Sequence, residues 1–282
     1  MKKKLGFETK LGILIISFYL IWSLGWFFYG YLLKGSLANP YRPLEDLSLE
    51  LLTPFKSGFI LGTDVFGRSL VETLSAGLLY SLGIGILVSL SAATVGTIIG
   101  YLSAQGSKWV KIPFDLLTNL IFVFPSILIA ILFMSLIGPS YLALFFVLTV
   151  TGWPSYAKIV RGEVKRIYSQ TFVEASIATG ISKVGLFFKV IIPGILPIVM
   201  VQVCLGMSGV IVSEATLGFL GIGGSEYSFG SNLSLAKSVL LEAPHMTIIY
   251  GLVLGGLIMG LNLLGDGFRD YLDPKNNLGK KI

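Results

Sequence analysis

From Thr73 to Ser107 the chain carries no charged side chain, and three further segments, Leu11–Leu33, Leu116–Ala157 and Val190–Ser213, are equally free of charge. A fifth, Ala243–Gly265, holds only the titratable His245. Apolar runs of this length need a solvent as apolar as themselves. About 20 such residues cross a bilayer as a helix. In hydrocarbon every backbone N–H and C=O must bond internally, which leaves helices and closed barrels. Barrel strands alternate over about ten residues, and these runs are continuous, so helices remain. Only 13% of residues are charged, roughly half of the usual 25% or so of a soluble domain.

Thr73–Ser107 is too long for one crossing and too short for two. Leu116–Ala157 is long enough for two, and Gly138-Pro139-Ser140 divides it where a tight turn is expected. Six membrane helices result, over about 11–33, 77–102, 114–137, 141–158, 190–213 and 245–265. Six crossings put both termini on one side. Lys34, Arg42, Lys56, Arg68 and Lys237 then fall in outer segments, and the other sixteen of the 21 lysines and arginines fall on the side of the termini. The positive-inside rule makes that side the cytoplasm, so the topology is N-in, C-in. The same distribution removes nucleic acid as the reason for the net charge of +6. Lys2, Lys3 and Lys4 before an apolar run imitate a signal peptide, with Ser36-Leu37-Ala38 as a cleavage site. The run is longer than a signal core of about 7–15 residues, and a retained first helix is expected.

Three polar segments join the helices: outer ones over about 34–75 and 222–244, and a basic inner one over about 159–189. The inner segment is the most informative. Thr171 can cap a short helix through Phe172, Glu174, Ala175 and Ser176 to Thr179, and Gly180 follows as a helix stop. Ser182 can cap a second short helix. Pro193 stands where the fifth membrane helix begins, a position that tolerates proline. Phe172, Ala175, Ser176 and Thr179 share one face of mostly small residues, which a partner groove can receive.

Glu174-Ala175-Ser176, three residues, Gly180, nine residues, and Val190-Ile191-Ile192-Pro193 together resemble the EAA loop of ABC importer permeases. That family writes Glu-Ala-Ala, three residues, Gly, nine residues, Ile-x-Leu-Pro. Ser176, Val190 and Ile192 are mild departures. Gly62-Thr63-Asp64-Val65-Phe66-Gly67-Arg68, Gly218-Phe219-Leu220-Gly221, and Leu264-Gly265-Asp266-Gly267-Phe268-Arg269-Asp270 with Leu272-Asp273-Pro274 narrow the resemblance to the dipeptide, oligopeptide and nickel permease group. The likeness runs from about residue 60 to 275. It implies a type I permease fold: an N-terminal helix and outer loop over 1–75, a five-helix core over 76–268, and a cytoplasmic tail over 269–282.

The resemblance also implies a mechanism and partners. The inner loop would couple to an ATPase, a second permease would complete the pathway, and two cytoplasmic ATPases would carry ATP and magnesium. An extracytoplasmic binding protein would deliver solute at a bacterial inner membrane. Peptide is the expected solute, with nickel or a metal chelate as the alternative. No P-loop, HExxH or GxSxG pattern occurs, so no catalytic residue and no resident cofactor is expected on this chain. A self-contained transporter would show internal repeats or charges deep in several spans, and neither is seen.

Residue roles are read in the same terms. Glu174 either braces the loop against Lys165 or Arg166 or meets a base on the ATPase. Glu214, just beyond the fifth apolar run, is either a wet interfacial acid or part of the translocation path. Thr63 or Asp64 caps an outer helix over about 64–75, with Arg68 one turn on. Together with Gly67 these residues are a candidate platform for the binding protein. Asp266, Arg269 and Asp270 form an i,i+3 pair or meet a partner. His245 and Cys204 are too far apart for a metal site, which needs several converging donors. Pro125 is read as a kink, and the glycines of the spans as allowing close helix packing.

Overall fold

The structure, a computed structural model, describes residues 6–34 and 47–272. The Ser36-Leu37-Ala38 stretch, Arg42, Asp273-Pro274 and the terminal lysines lie outside the described residues. The helices in chain order are α1 (Phe7–Lys34), α2 (Leu70–Gln105), α3 (Lys108–Val123), α4 (Ser126–Ile137), α5 (Tyr141–Tyr168), α6 (Thr171–Ala178), α7 (Lys183–Leu186), α8 (Ile192–Phe219), α9 (Phe229–Ser238) and α10 (Pro244–Leu272). A π-helical stretch, Phe187–Ile191, joins α7 to α8.

Five helical segments are long and apolar enough to cross a bilayer: Phe7–Gly30, Leu70–Gln105, Tyr141–Tyr168, Val184–Phe219 and Pro244–Leu272. The expected third span is instead a bent pair, α3 and α4, meeting at 87°. The break sits at Phe124-Pro125. Proline has no N–H to give to the preceding turn, and it forces the residue before it out of the helical region. Phe124 accordingly takes φ −91 and ψ 136.

Contacts fix the direction of each crossing. The start of α1 lies against the end of α10, where a Cβ on Gly12 would come within 2.7 Å of Leu264 N and one on Gly267 would collide with Thr9. Tyr141, at the start of α5, stacks on Tyr80 in the first half of α2 with centroids 5.6 Å apart. Tyr101, near the end of α2, stacks on Phe187 at 4.5 Å. The bent pair therefore begins at one side and ends at the other, and counts as a single crossing. Among the described residues, six crossings with the start of α1 and the end of α10 on one side agree with the charge pattern.

Helix α2 is the central post. Glycine lets α5 lie directly on it: a Cβ at Gly96 would sit 2.7 Å from Trp153 O, and one at Gly100 would sit 2.7 Å from Ala157 O. Small residues of this kind let helix backbones approach in a membrane, where no hydrophobic effect drives packing. Helix α8 packs on α2 and α10, and α1 covers α10 and α2. Leu70, Leu74, Leu78, Ile211, Tyr250 and Leu257 form the centre of the largest buried cluster.

The helices outrun the expected bounds. Helix α5 passes 158 to reach Tyr168, and α8 passes 213 to reach Phe219. A charged residue marks where a helix leaves hydrocarbon. It does not end the helix, because Lys, Arg and Glu are good helix formers.

Candidate functional site

On the inner side, α5 ends at Tyr168 and two residues lead into α6. Gln170, not Thr171, takes the N-cap position, and its side chain makes no cap bond. The helix starts at Thr171 because the N–H groups of Val173 and Glu174 both reach Gln170 O. At the other end Gly180 adopts φ +86. Its N–H donates to Ile177 O at 2.9 Å and that of Ile181 to Ser176 O at 3.3 Å, the paired bonds of a Schellman stop. Ser182 caps α7, accepting from Gly185 N at 3.0 Å. Val173 is fully buried in a cluster with Val160, Val164, Ile167, Leu186 and Ile191. That contact pins α6 to the bundle by one face.

The rest of α6 is open. Phe172 is 56% and Ile177 50% exposed, and Glu174 and Ala175 are exposed beside them with Ser176 half-buried. Glu174 makes no ion pair with Lys165 or Arg166 among the described residues. Among the described residues Arg166 pairs with Glu163 instead, at 2.5 and 2.9 Å.

On the outer side, no helix runs from 64. Helix α2 begins at Leu70, and residues 62–69 form a tight turn with Gly62 at φ +85 and Gly67 at φ +70. Asp64 holds that turn. Its Oδ1 accepts from Phe66 N at 2.9 Å and Arg68 N at 2.8 Å, and its Oδ2 from Arg68 Nε at 2.6 Å. Thr63 Oγ1 donates to Leu49 O and accepts from Leu52 N. Thr63, Asp64, Gly67 and Arg68 are all buried. The pair is thus internal and holds a turn, where a helix cap was expected. Phe66, Ile60 and Phe55 are what the loop shows outward.

Glu214 is not a wet interfacial acid. It lies inside α8 with no exposed surface, and Oε2 accepts from Ser81 Oγ of α2 at 2.9 Å. Asp266, Arg269 and Asp270 are exposed in the last turns of α10. Among the described residues they make no ion pair.

Two features escaped the sequence reading. Arg161 of α5 grips both carboxylate oxygens of Asp115 of α3, while Lys158 lies 5.7 Å over the Phe122 ring. The second feature is a cavity of about 250 Å³ within the membrane region, walled by α2, α4, α5 and α8. Its polar lining is Ser89, Ser126, Thr151, Ser155, Gln202 and Ser213, with Tyr156. A signal existed on α8, where Gln202, Gly206, Gly209 and Ser213 recur at helical spacing along one face.

A broken six-span bundle that presents a short, rigidly stopped helix at one end and a polar cavity at mid-depth is the architecture of a membrane transport subunit. Residues 96–277 match the model of binding-protein-dependent transport system inner membrane components, and the chain belongs to that family. It is similar to the dipeptide transport system permease protein of Haemophilus influenzae, 32% identical over 84% of this chain and 83% of that one. It is similar also to that of Alkalihalophilus pseudofirmus, 29% identical over 94% and 84%, and to the glutathione transport system permease protein of Pectobacterium atrosepticum, 30% identical over 76% and 72%. A chain from the crystal structure of an amino acid ABC transporter superposes with a TM-score of 0.54 at 18% identity, covering 70% of this chain and 92% of that one. That likeness concerns the fold. The chain is a membrane-spanning ABC importer permease, a transport component and not a catalytic one.

Proposed function

We propose that this chain forms one half of a pathway for di- or oligopeptides across a bacterial inner membrane. A second permease supplies the other half, and two cytoplasmic ATPases holding ATP and magnesium drive it. A binding protein delivers solute from outside. The peptide assignment is supported by the relatives, whose names specify dipeptide and glutathione transport.

Docking of the ATPase is carried by one observation: α6 is anchored through buried Val173 while Phe172 and Ile177 stand about half exposed around Glu174. An apolar anchor beside an acid, on a helix fixed at both ends, suits a groove with an apolar floor and a basic rim. Only two residues join α6 to α5, and α5 walls the cavity, so a push on α6 reaches the cavity through α5. ATP binding draws the two inner loops together and opens the cavity outward, and hydrolysis resets it. The nucleotide thereby biases two discrete states of the pathway.

The test is co-purification from the native host. An ATPase subunit recovered with the wild type and with Phe172→Leu, but lost with Phe172→Asp, is the expected result. An ATPase still bound at wild-type level to Phe172→Asp would remove α6 as the docking element.

A further inference from the structure

Helix α3 departs from the bundle at the inner side. Helix α4 packs along α5, where Ala130 and Met134 share a buried cluster with Leu144, Val147 and Leu148. Because α3 meets α4 at 87°, it runs across the bundle instead of along it. Its level follows from α5. From Tyr141 to Lys158 that helix rises about 25 Å, at roughly 1.5 Å a residue. The hydrocarbon of a bilayer is about 30 Å thick, so Lys158 and Arg161 stand where the headgroups of the inner leaflet begin. Trp109, at the start of α3, is 89% exposed, and tryptophan favours that level.

Between α2, α3 and α5 lies a second cavity, of about 130 Å³. Its charged lining is Asp115, Lys158 and Arg161, with Thr118 and Asn119 beside them. Asp115 and Arg161 neutralise one another. Lys158 is exposed, and among the described residues it makes no ion pair. Its ammonium rests over the Phe122 ring, which leaves the charge in place. The cavity therefore keeps one positive charge, with a hydroxyl and an amide next to it. Lys111 and Lys108 precede Asp115 by one turn and two, so they continue the same face of α3. Neither makes an ion pair among the described residues. The flank next to that face carries Trp109, Leu116 and Leu120, all exposed. A cationic stripe beside an apolar flank with a tryptophan is the pattern of a helix lying in a bilayer surface.

Basic pockets between membrane helices on the cytoplasmic side bind anionic lipid headgroups. We propose that this cavity holds the phosphate of an anionic phospholipid of the inner leaflet, between Lys158 of α5 and Lys111 of α3. Thr118 and Asn119 donate to its oxygens, and the acyl chains lie along Leu116 and Leu120. The occupant is a lipid and not a free phosphate because a free ion would leave that apolar flank uncovered. The bound headgroup spans two helices and so holds α3 against α5.

The test offers the purified full chain phosphatidylglycerol and phosphatidylcholine with identical acyl chains, and counts the bound lipids by native mass spectrometry. The wild type should retain the anionic lipid at least about fivefold over the neutral one, the scale of one lysine at an anionic surface. Lys158→Gln and Lys111→Gln should each lower that preference about fivefold, and Lys158→Arg should keep it. Lys237→Gln removes a lysine on the outer side and should change nothing. Melting curves without lipid should match the wild type for all four variants, since none of these lysines is buried. Equal retention of the two lipids by the wild type overturns the proposal, as does an unaltered preference in Lys158→Gln or an equal loss in Lys237→Gln. Inorganic phosphate in excess should not displace the lipid. Displacement would make the cavity a site for a free anion and overturn the lipid assignment.

Discussion

Asp64 is 1% exposed beside an arginine that is 5% exposed. Taking two charges out of water is expensive, and the pair survives because both carboxylate oxygens are bonded: one closes the backbone turn while the other holds the guanidinium. Removing one member of such a pair leaves the other buried and uncompensated, which costs about 3–5 kcal/mol. Asp64→Ala should therefore lower the thermal stability of the purified protein by an amount on that scale. Asp64→Asn should lower it less, since its amide oxygen still accepts from Phe66 N and Arg68 N. A melting curve in detergent separates the two, and equal stability of Asp64→Ala and wild type would contradict the account. A binding-protein platform, if this loop is one, presents Phe66, Ile60 and Phe55 rather than these four residues, which shape it from beneath.

Helix ends were legible where the signal is local. Gly180 and Ser182 stop and restart the inner loop as read, because a left-handed stop and a hydroxyl cap each depend on a few adjacent residues. A Cβ at Gly180 would meet open space, so Gly180→Ala is penalised by its φ of +86 alone, at about 1–2 kcal/mol. Gly180→Ala should leave the ATPase bound yet lower uptake per ATP hydrolysed, since α6 loses its fixed angle to α7. Gly180→Asn should recover most of it, because asparagine tolerates the left-handed region. Uptake and hydrolysis measured together in proteoliposomes test this, and unchanged coupling in Gly180→Ala would show the angle to be irrelevant. What the sequence hid was not local. Pro125 announced a bend, but its size depends on what packs around α3 and α4. Asp64 and Arg68 stand four apart as on a helix, and only the left-handed glycines at 62 and 67 turn that spacing into a loop. The cavity draws Ser89, Ser126, Tyr156 and Gln202 from four helices, so no window of sequence holds the pattern.

Across the whole molecule, among the described residues, α3 is loosely tied to the rest. None of its residues is buried. Its links to the bundle include the Asp115–Arg161 pair and the Phe122 ring beneath Lys158, both reaching α5 between the cavity and α6. The ion pair is itself partly solvated, with side chains 48% and 25% exposed, so it contributes about 1 kcal/mol or less. A contribution that small does not determine folding, but it is enough to set how often α3 lifts from α5. Asp115→Asn should leave the protein folded and speed amide hydrogen exchange in α3 up to about fivefold, with α2 and α5 unchanged. Exchanging the charges, Asp115→Arg with Arg161→Asp, should slow α3 again relative to either single change. Because α4 forms one wall of the cavity, any coupling of α5 to α3 also moves that wall, and the same variants should alter uptake in the order in which they alter exchange. Faster exchange in α3 without a parallel change in uptake would confine the pair to a structural role.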